Sequence, residues 1–145
     1  MKKTKITILG GSGFLGSILS DLLIKKKNYK VVILDTKAKK PLLQNQKFIN
    51  GSILNEEKLK QAIQGSQYVF NFAALADLDV AKNKPLETAN INIVGTIKAL
   101  ISSKDFKIKK FIHASSIYAN SEQGGFYGSS KKAAEDYIEK FWKKY

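Results

Sequence analysis

The chain has 145 residues, one domain's worth, and 43% of them are hydrophobic, an ordinary fraction for a chain that buries a core. It has no cysteine, so neither a disulfide framework nor a thiolate metal site is available, and no metal is expected. The formal net charge is +13, but all 25 basic residues are lysine. Base reading and bidentate phosphate contacts favour arginine, so no nucleic-acid partner is expected and the lysines read as a solvated surface.

The basic start Met1 to Lys5 runs into an apolar stretch broken at once by glycines, which reads as a first strand, Lys5 to Leu9, rather than a signal peptide. No run of about 18 apolar residues exists, so no transmembrane helix is expected, and the location expected is cytoplasmic. From Phe14 to Lys27, apolar residues at Phe14, Leu15, Ile18, Leu19, Leu22 and Leu23 have the spacing of a helix with one buried face. Val31 to Asp35 is a continuous apolar run ending in an acid, the pattern of a strand covered on both sides. A third strand is expected at Lys47 to Asn50, then a helix capped by Asn55 and ended by Gly65.

Tyr68 to Phe72 reads as the fourth strand, followed by the small-residue turn Ala73-Ala74. Pro85 opens a helix to about Lys104, Phe111 to Ala114 is the fifth strand, and a last helix runs from Tyr127 to the end. Strands alternating with helices imply a doubly wound parallel α/β sheet, the Rossmann fold, as one domain over residues 1–145.

Between the first strand and first helix, Gly10, Gly13 and Gly16 satisfy G-x-x-G-x-x-G, while Gly11, Gly13 and Gly16 satisfy G-x-G-x-x-G. Either spacing serves one purpose: a tight turn, close approach of backbone N–H groups to a pyrophosphate, and close helix–strand packing. The helix start at Phe14 and Leu15 then faces the phosphates with free N–H groups and the positive end of its dipole. Asp35 lies 19 residues beyond Gly16, placed to accept hydrogen bonds from an adenosine ribose, which favours NAD. Lys37, Lys39 and Lys40 keep NADP as the alternative.

A second constellation follows the fifth strand: Ser115-Ser116, then Tyr127 and Lys131 four residues apart on one helix face. An ammonium beside a phenol favours the phenolate. A free tyrosine has a pKa of about 10, so reaching neutrality takes roughly 4 kcal/mol of preferential anion stabilisation. Either serine is a candidate for the hydroxyl that meets the reacting oxygen. His113, the only histidine, is expected to pack in or beside the fifth strand, and Phe141, Trp142 and Tyr145 to pack or meet a partner.

With these residues the chain resembles the extended branch of the short-chain dehydrogenase/reductase superfamily, the NAD-dependent epimerases and dehydratases of nucleotide sugars. The resemblance is carried by the glycine turn, Tyr127-x-x-x-Lys131, Ala73-Ala74, Asn92-Ile93-Val94-Gly95-Thr96, and Phe111 to Ser116. It implies NAD as cofactor and a nucleotide sugar or other small molecule as substrate. Tyr127 is implied as acid/base, Lys131 as its partner and ribose ligand, and Ser116 as the substrate contact. Gly10, Gly13, Phe14, Leu15, Gly16, Asp35, Ala73, Ala74 and Asn92 are implied around the cofactor, Asn92 supporting helix and site geometry. It also implies a homodimer through the helices at 86–104 and 127–145.

Two departures sharpen the expectation. Gly51-Ser52 stands where the family often has Gly-Asp, which weakens one adenine contact without abolishing the site. Ile117 and Tyr118 follow Ser116 where dehydratases of the branch carry an Asp-Glu pair, which favours epimerisation. A simple reductase of a small alcohol or steroid-like substrate, and a non-catalytic dinucleotide sensor or scaffold, are the alternatives. Family members continue with further strands and a smaller substrate-holding domain, so the fold is expected to be incomplete on its carboxyl-terminal side and inactive alone.

Overall fold

The structure, a computed structural model, describes residues 3–38 and 41–145; Lys39 and Lys40 lie outside the described residues. Five parallel strands form one sheet: β1 (Thr4–Leu9), β2 (Tyr29–Asp35), β3 (Gln46–Asn50), β4 (Tyr68–Asn71) and β5 (Lys110–His113). Their spatial order is β3-β2-β1-β4-β5. The order reverses direction between β1 and β4. In open α/β sheets that switch point is where the carboxyl ends of the strands leave a crevice for a ligand.

Side chains alternate across each strand, and the two faces are covered unequally. On one face Leu9, Val32, Leu34, Ile49 and Val69 pack with Leu59, Ala62 and Ile63 of α2 (Glu56–Ile63) and with Ala99 of α5 (Gly95–Asp105). On the other, Ile6, Ile8, Val31 and Ile33 meet Leu19, Leu23 and Ile24 of α1 (Phe14–Lys25). Both hydrophobic runs, β1 and β2, are buried on each side because both faces carry helices.

α1 buries one face, but the structure corrects which of the expected apolar residues lie on it. Phe14, Leu15, Ile18 and Leu22 are exposed, and only the neighbouring stripe touches the sheet. The residues of α1 that are fully buried are small, Gly16 and Ser20, which brings the helix axis close to the strands. The apolar spacing is therefore wider than the strip that α1 spends on the sheet.

The region after β4 is also richer than a turn followed by one helix. Asp77 caps a short helix, α3 (Leu78–Asn83), by accepting from the Val80 N–H at 2.9 Å. Pro85 then opens α4 (Pro85–Ala89), which passes through one wider π turn at Asn90–Val94 before α5. Two 3-10 turns, Ile117–Asn120 and Glu122–Gly124, lead into α6 (Gly125–Lys144), which starts two residues before Tyr127 and packs on α3, α4 and α5. Among the described residues, no helix is long and apolar enough to cross a membrane.

Candidate active site

The cradle begins where β1 ends. The Gly10 N–H donates to the Leu34 carbonyl at 2.8 Å, and the chain then turns at φ +74°. A Cβ at Gly10 would lie 2.5 Å from the Ala73 nitrogen, so the turns after β1 and β4 press together with no room for a side chain. At Gly16 an added Cβ would lie 2.5 Å from the Gly10 carbonyl oxygen, which ties the first turn of α1 to the same loop. Gly13 is the exposed N-terminal cap of α1 and has no side chain to cover the helix end. The helix's first-turn N–H groups, which no intrahelical carbonyl can reach, follow directly, while the side chains of Phe14 and Leu15 point to solvent.

A cleft of about 340 Å³ opens at this switch point, lined by Gly10, Ser12, Gly13, Asp35, Ala73 and Ala74 among others. Asp35 is oriented before any ligand arrives. One carboxylate oxygen accepts from the Ser12 N–H at 3.0 Å and the other from the Lys37 N–H at 3.1 Å. The carboxylate's remaining lone pairs are available to a pair of hydroxyls. The Ser12 hydroxyl oxygen is buried in the cradle without a hydrogen-bond partner among the described residues. An orphan donor beside a helix N-terminus, with a rigid glycine turn and a fixed carboxylate, fits the pyrophosphate and ribose of a dinucleotide. Gly51 and Ser52 also line the cleft, where the sequence departs from Gly-Asp.

The second constellation sits at the end of β5, the strand beside the one whose end forms the cleft wall. Lys131 is 3% exposed, and its ammonium donates to the Ala114 carbonyl at 2.7 Å. Burial pulls its pKa down to about 8, partly offset by the Glu135 carboxylate four residues along α6. Its Nζ lies 5.9 Å from the centroid of the half-buried Tyr127 ring, which the Tyr118 ring meets edge-on at 6.4 Å. The two serines are distinguished by their partners. Ser115 is exposed and donates to Glu135, whereas Ser116 is half-buried and its oxygen accepts from the Tyr118 N–H at 3.2 Å. The Ser116 hydroxyl proton is thereby left for another acceptor.

Asn92 is buried, and its amide is spent within the protein. It accepts from the Leu75 N–H at 2.8 Å and donates to the Leu75 carbonyl at 3.1 Å and the Ser130 hydroxyl at 2.9 Å. Ser130 in turn donates to the Tyr127 carbonyl at 2.7 Å. Asn92 therefore braces the loop after β4 against the turn that carries Tyr127 and lies outside the cleft lining. The π turn in its helix is the kind of local widening that accompanies such sites.

One buried polar residue beside the site was not singled out from the sequence. Asn71, fully buried in β4, donates to the Thr96 hydroxyl at 3.1 Å and accepts from the Ala73 N–H at 3.2 Å. Its amide also meets His113 Nδ1 at 3.2 Å. The available signal was a lone amide inside the otherwise apolar run Tyr68 to Phe72. His113 is neutral, its pKa lowered to about 4 by burial and by the Lys131 ammonium. Phe141 and Tyr145 pack on each other with ring centroids 5.6 Å apart, and Trp142 is 84% exposed.

A parallel five-stranded sheet of this order, with a glycine turn and a cleft at its switch point, defines a Rossmann fold of the kind that binds dinucleotides. Residues 6–145 match the NAD dependent epimerase/dehydratase family, and the chain belongs to that family. It is 34% identical over 123 residues to a dTDP-D-glucose 4,6-dehydratase of Dictyostelium discoideum, covering 77% of this chain and 28% of that protein. It is 30% identical over 131 residues to a UDP-glucose 4-epimerase of Klebsiella pneumoniae, covering 82% of this chain and 94% of that relative. Among solved structures, a UDP-glucose 4-epimerase of Thermotoga maritima, crystallised with UDP-glucose, superposes with a TM-score of 0.85 at 30% identity, over 98% of this chain and 52% of that one. The chain thus spans about half the length of that epimerase. NAD is the cofactor of the family.

Proposed function

We propose that this chain forms the cofactor-holding part of a nucleotide-sugar epimerase, binding NAD in the cleft and presenting Ser116, Tyr127 and Lys131 to a secondary alcohol of the sugar. The observation that carries this reading is the buried Lys131, held on the Ala114 carbonyl one helical turn from Tyr127, at the end of the strand beside the cleft wall. The chemistry that NAD supplies when bound is reversible hydride transfer at a carbinol carbon. Gly10, Gly13, Gly16 and the free N–H groups at Phe14 and Leu15 would hold the pyrophosphate, with Asp35 on the adenosine ribose and Ala73 and Ala74 as the wall.

Lys131 would reach the second ribose and stabilise the anion of Tyr127, which takes the proton of the substrate hydroxyl and returns it. Ser116 would donate to the same oxygen. Epimerisation is favoured over dehydration because Ile117 and Tyr118 offer no carboxylate next to Ser116; Ile117 is 85% exposed and Tyr118 is packed on Tyr127. Calorimetric titration with NAD tests the cofactor reading, and no uptake by the wild-type chain would sink it. For the chemistry, UDP-glucose would be incubated with chain and NAD while sugar isomers and NADH are followed. Interconversion without net NADH supports epimerisation, and net NADH accumulation supports a simple dehydrogenase instead.

The chain is further proposed to pair with a second copy through the helices at 86–104 and 127–145, where Leu86, Ile101 and Tyr137 are exposed. Sedimentation showing only monomer at high concentration would count against that pairing.

A further inference from the structure

At the end of the sheet opposite the cleft, lysines from three adjacent strands share one face. Strand register sets Lys5 of β1 directly opposite Lys30 of β2, and Lys47 of β3 opposite Val32, one step along the same face of β2. Directly opposed residues in a sheet hold their Cβ atoms roughly 5 Å apart, and like charges so placed destabilise the pair. They surround a hollow of about 590 Å³ that is also lined by Asn45, Gln61 and Gln64. No acid is among its lining residues, and no ion pair involves Lys5, Lys30 or Lys47 among the described residues.

The floor of the hollow is fixed. Lys5 is half-buried, and its ammonium donates to the Gln64 carbonyl at 2.6 Å, which neutralises the carbonyl end of α2 and leaves two N–H groups. Burial and the Lys30 and Lys47 charges lower its pKa to about 8. A fourth cation, Lys3, donates to Asn45 Oδ1 at 2.7 Å at the rim of the hollow. The side-chain amides of Gln61 and Gln64 have no hydrogen-bond partner among the described residues, which adds uncharged donors to the cations.

We propose that this hollow is a binding site for a multivalent oxyanion, a phosphate or short polyphosphate, separate from the nucleotide cleft. Clustered ammonium groups without a carboxylate, flanked by amide donors, match the charge and the acceptor-only oxygens of such an anion. Binding removes the mutual repulsion that the strand register imposes.

The test is calorimetric titration of the whole chain with sodium tripolyphosphate at constant ionic strength, with NAD present to fill the cleft. Three proteins are compared: wild type, Lys30→Ala with Lys47→Ala, and a control with Lys109→Ala and Lys110→Ala, which removes the same charge at the β5 edge. The expected result is one site per chain, weakened about tenfold or more in the first variant and less than about twofold in the control. Melting curves without anion check folding; the first variant should melt no lower than wild type, since a repulsion is gone. Equal weakening in both variants would mean attraction by the whole surface and would overturn the site. Uptake that survives loss of Lys30 and Lys47 would place the anion elsewhere on the surface, and uptake seen only in a parallel titration without NAD would assign it to the glycine cradle; either result overturns the site. Absence of binding to the wild type does the same, whether or not NAD itself binds.

Discussion

Replacing Lys131 by methionine should stabilise the chain at neutral pH while removing its function. Burial lowers the native pKa to about 8 from an ordinary 10.5, so keeping the ammonium charged costs on the order of 3 kcal/mol. Against this, the variant leaves the Ala114 carbonyl without its donor, a loss of roughly 1–2 kcal/mol for a buried acceptor. The net expectation at pH 7 is a gain of about 1–2 kcal/mol, since methionine fills much of the same volume. The sign follows from the depressed lysine pKa. Below pH 8 both folded and unfolded wild type are protonated, and the native state carries the whole penalty. Between pH 8 and 10.5 the folded lysine sheds its proton first, so wild-type stability rises with pH and the gap to the variant closes. Urea unfolding of both proteins at pH 7 and near pH 10 reads this directly. A variant less stable than wild type at pH 7, with a gap that pH leaves unchanged, would refute the burial argument.

Asp35→Ala should weaken NAD binding and reduce discrimination against NADP, because the carboxylate held by the Ser12 and Lys37 N–H groups is lost; equal NAD affinity in variant and wild type by calorimetry would remove Asp35 from the site. His113 should make the fold acid-sensitive: its lowered pKa favours the neutral ring, so stability is full above about pH 6.5 and falls by up to about 3 kcal/mol as pH drops towards 4. The same fall in His113→Asn would show that other groups cause it. Gly16→Ala should destabilise by about 1–3 kcal/mol through the clash with the Gly10 carbonyl, and an unchanged melting temperature would show that the turn can yield.

Much of the fold was legible because its signals are local and strong. The apolar run ending at Asp35, the glycines between β1 and α1, and the Asn55 cap, which accepts from the Lys58 N–H at 3.0 Å, each carry their own geometry. Sheet order β3-β2-β1-β4-β5 makes β5 an edge, as that order requires. What escaped was set by distant partners. Asn71, Thr96 and Ser130 are ordinary polar residues in sequence, and only tertiary packing joins them into one network. α3 is six residues long, too short for apolar periodicity to show, and only Asp77 marks its start. The exposed stripe on α1 could not be separated from its buried one, since both fit the same helical spacing.

The side chain of Asn92 is a rivet through three layers of the molecule. One amide holds both backbone polar groups of Leu75 and, through Ser130, the carbonyl of Tyr127. The loop after β4 and the start of α6 thus move as a single body, with the π turn that carries Asn92 as their common mount. The backbone at the start of α6 is thus held by a residue that lies outside the cleft lining.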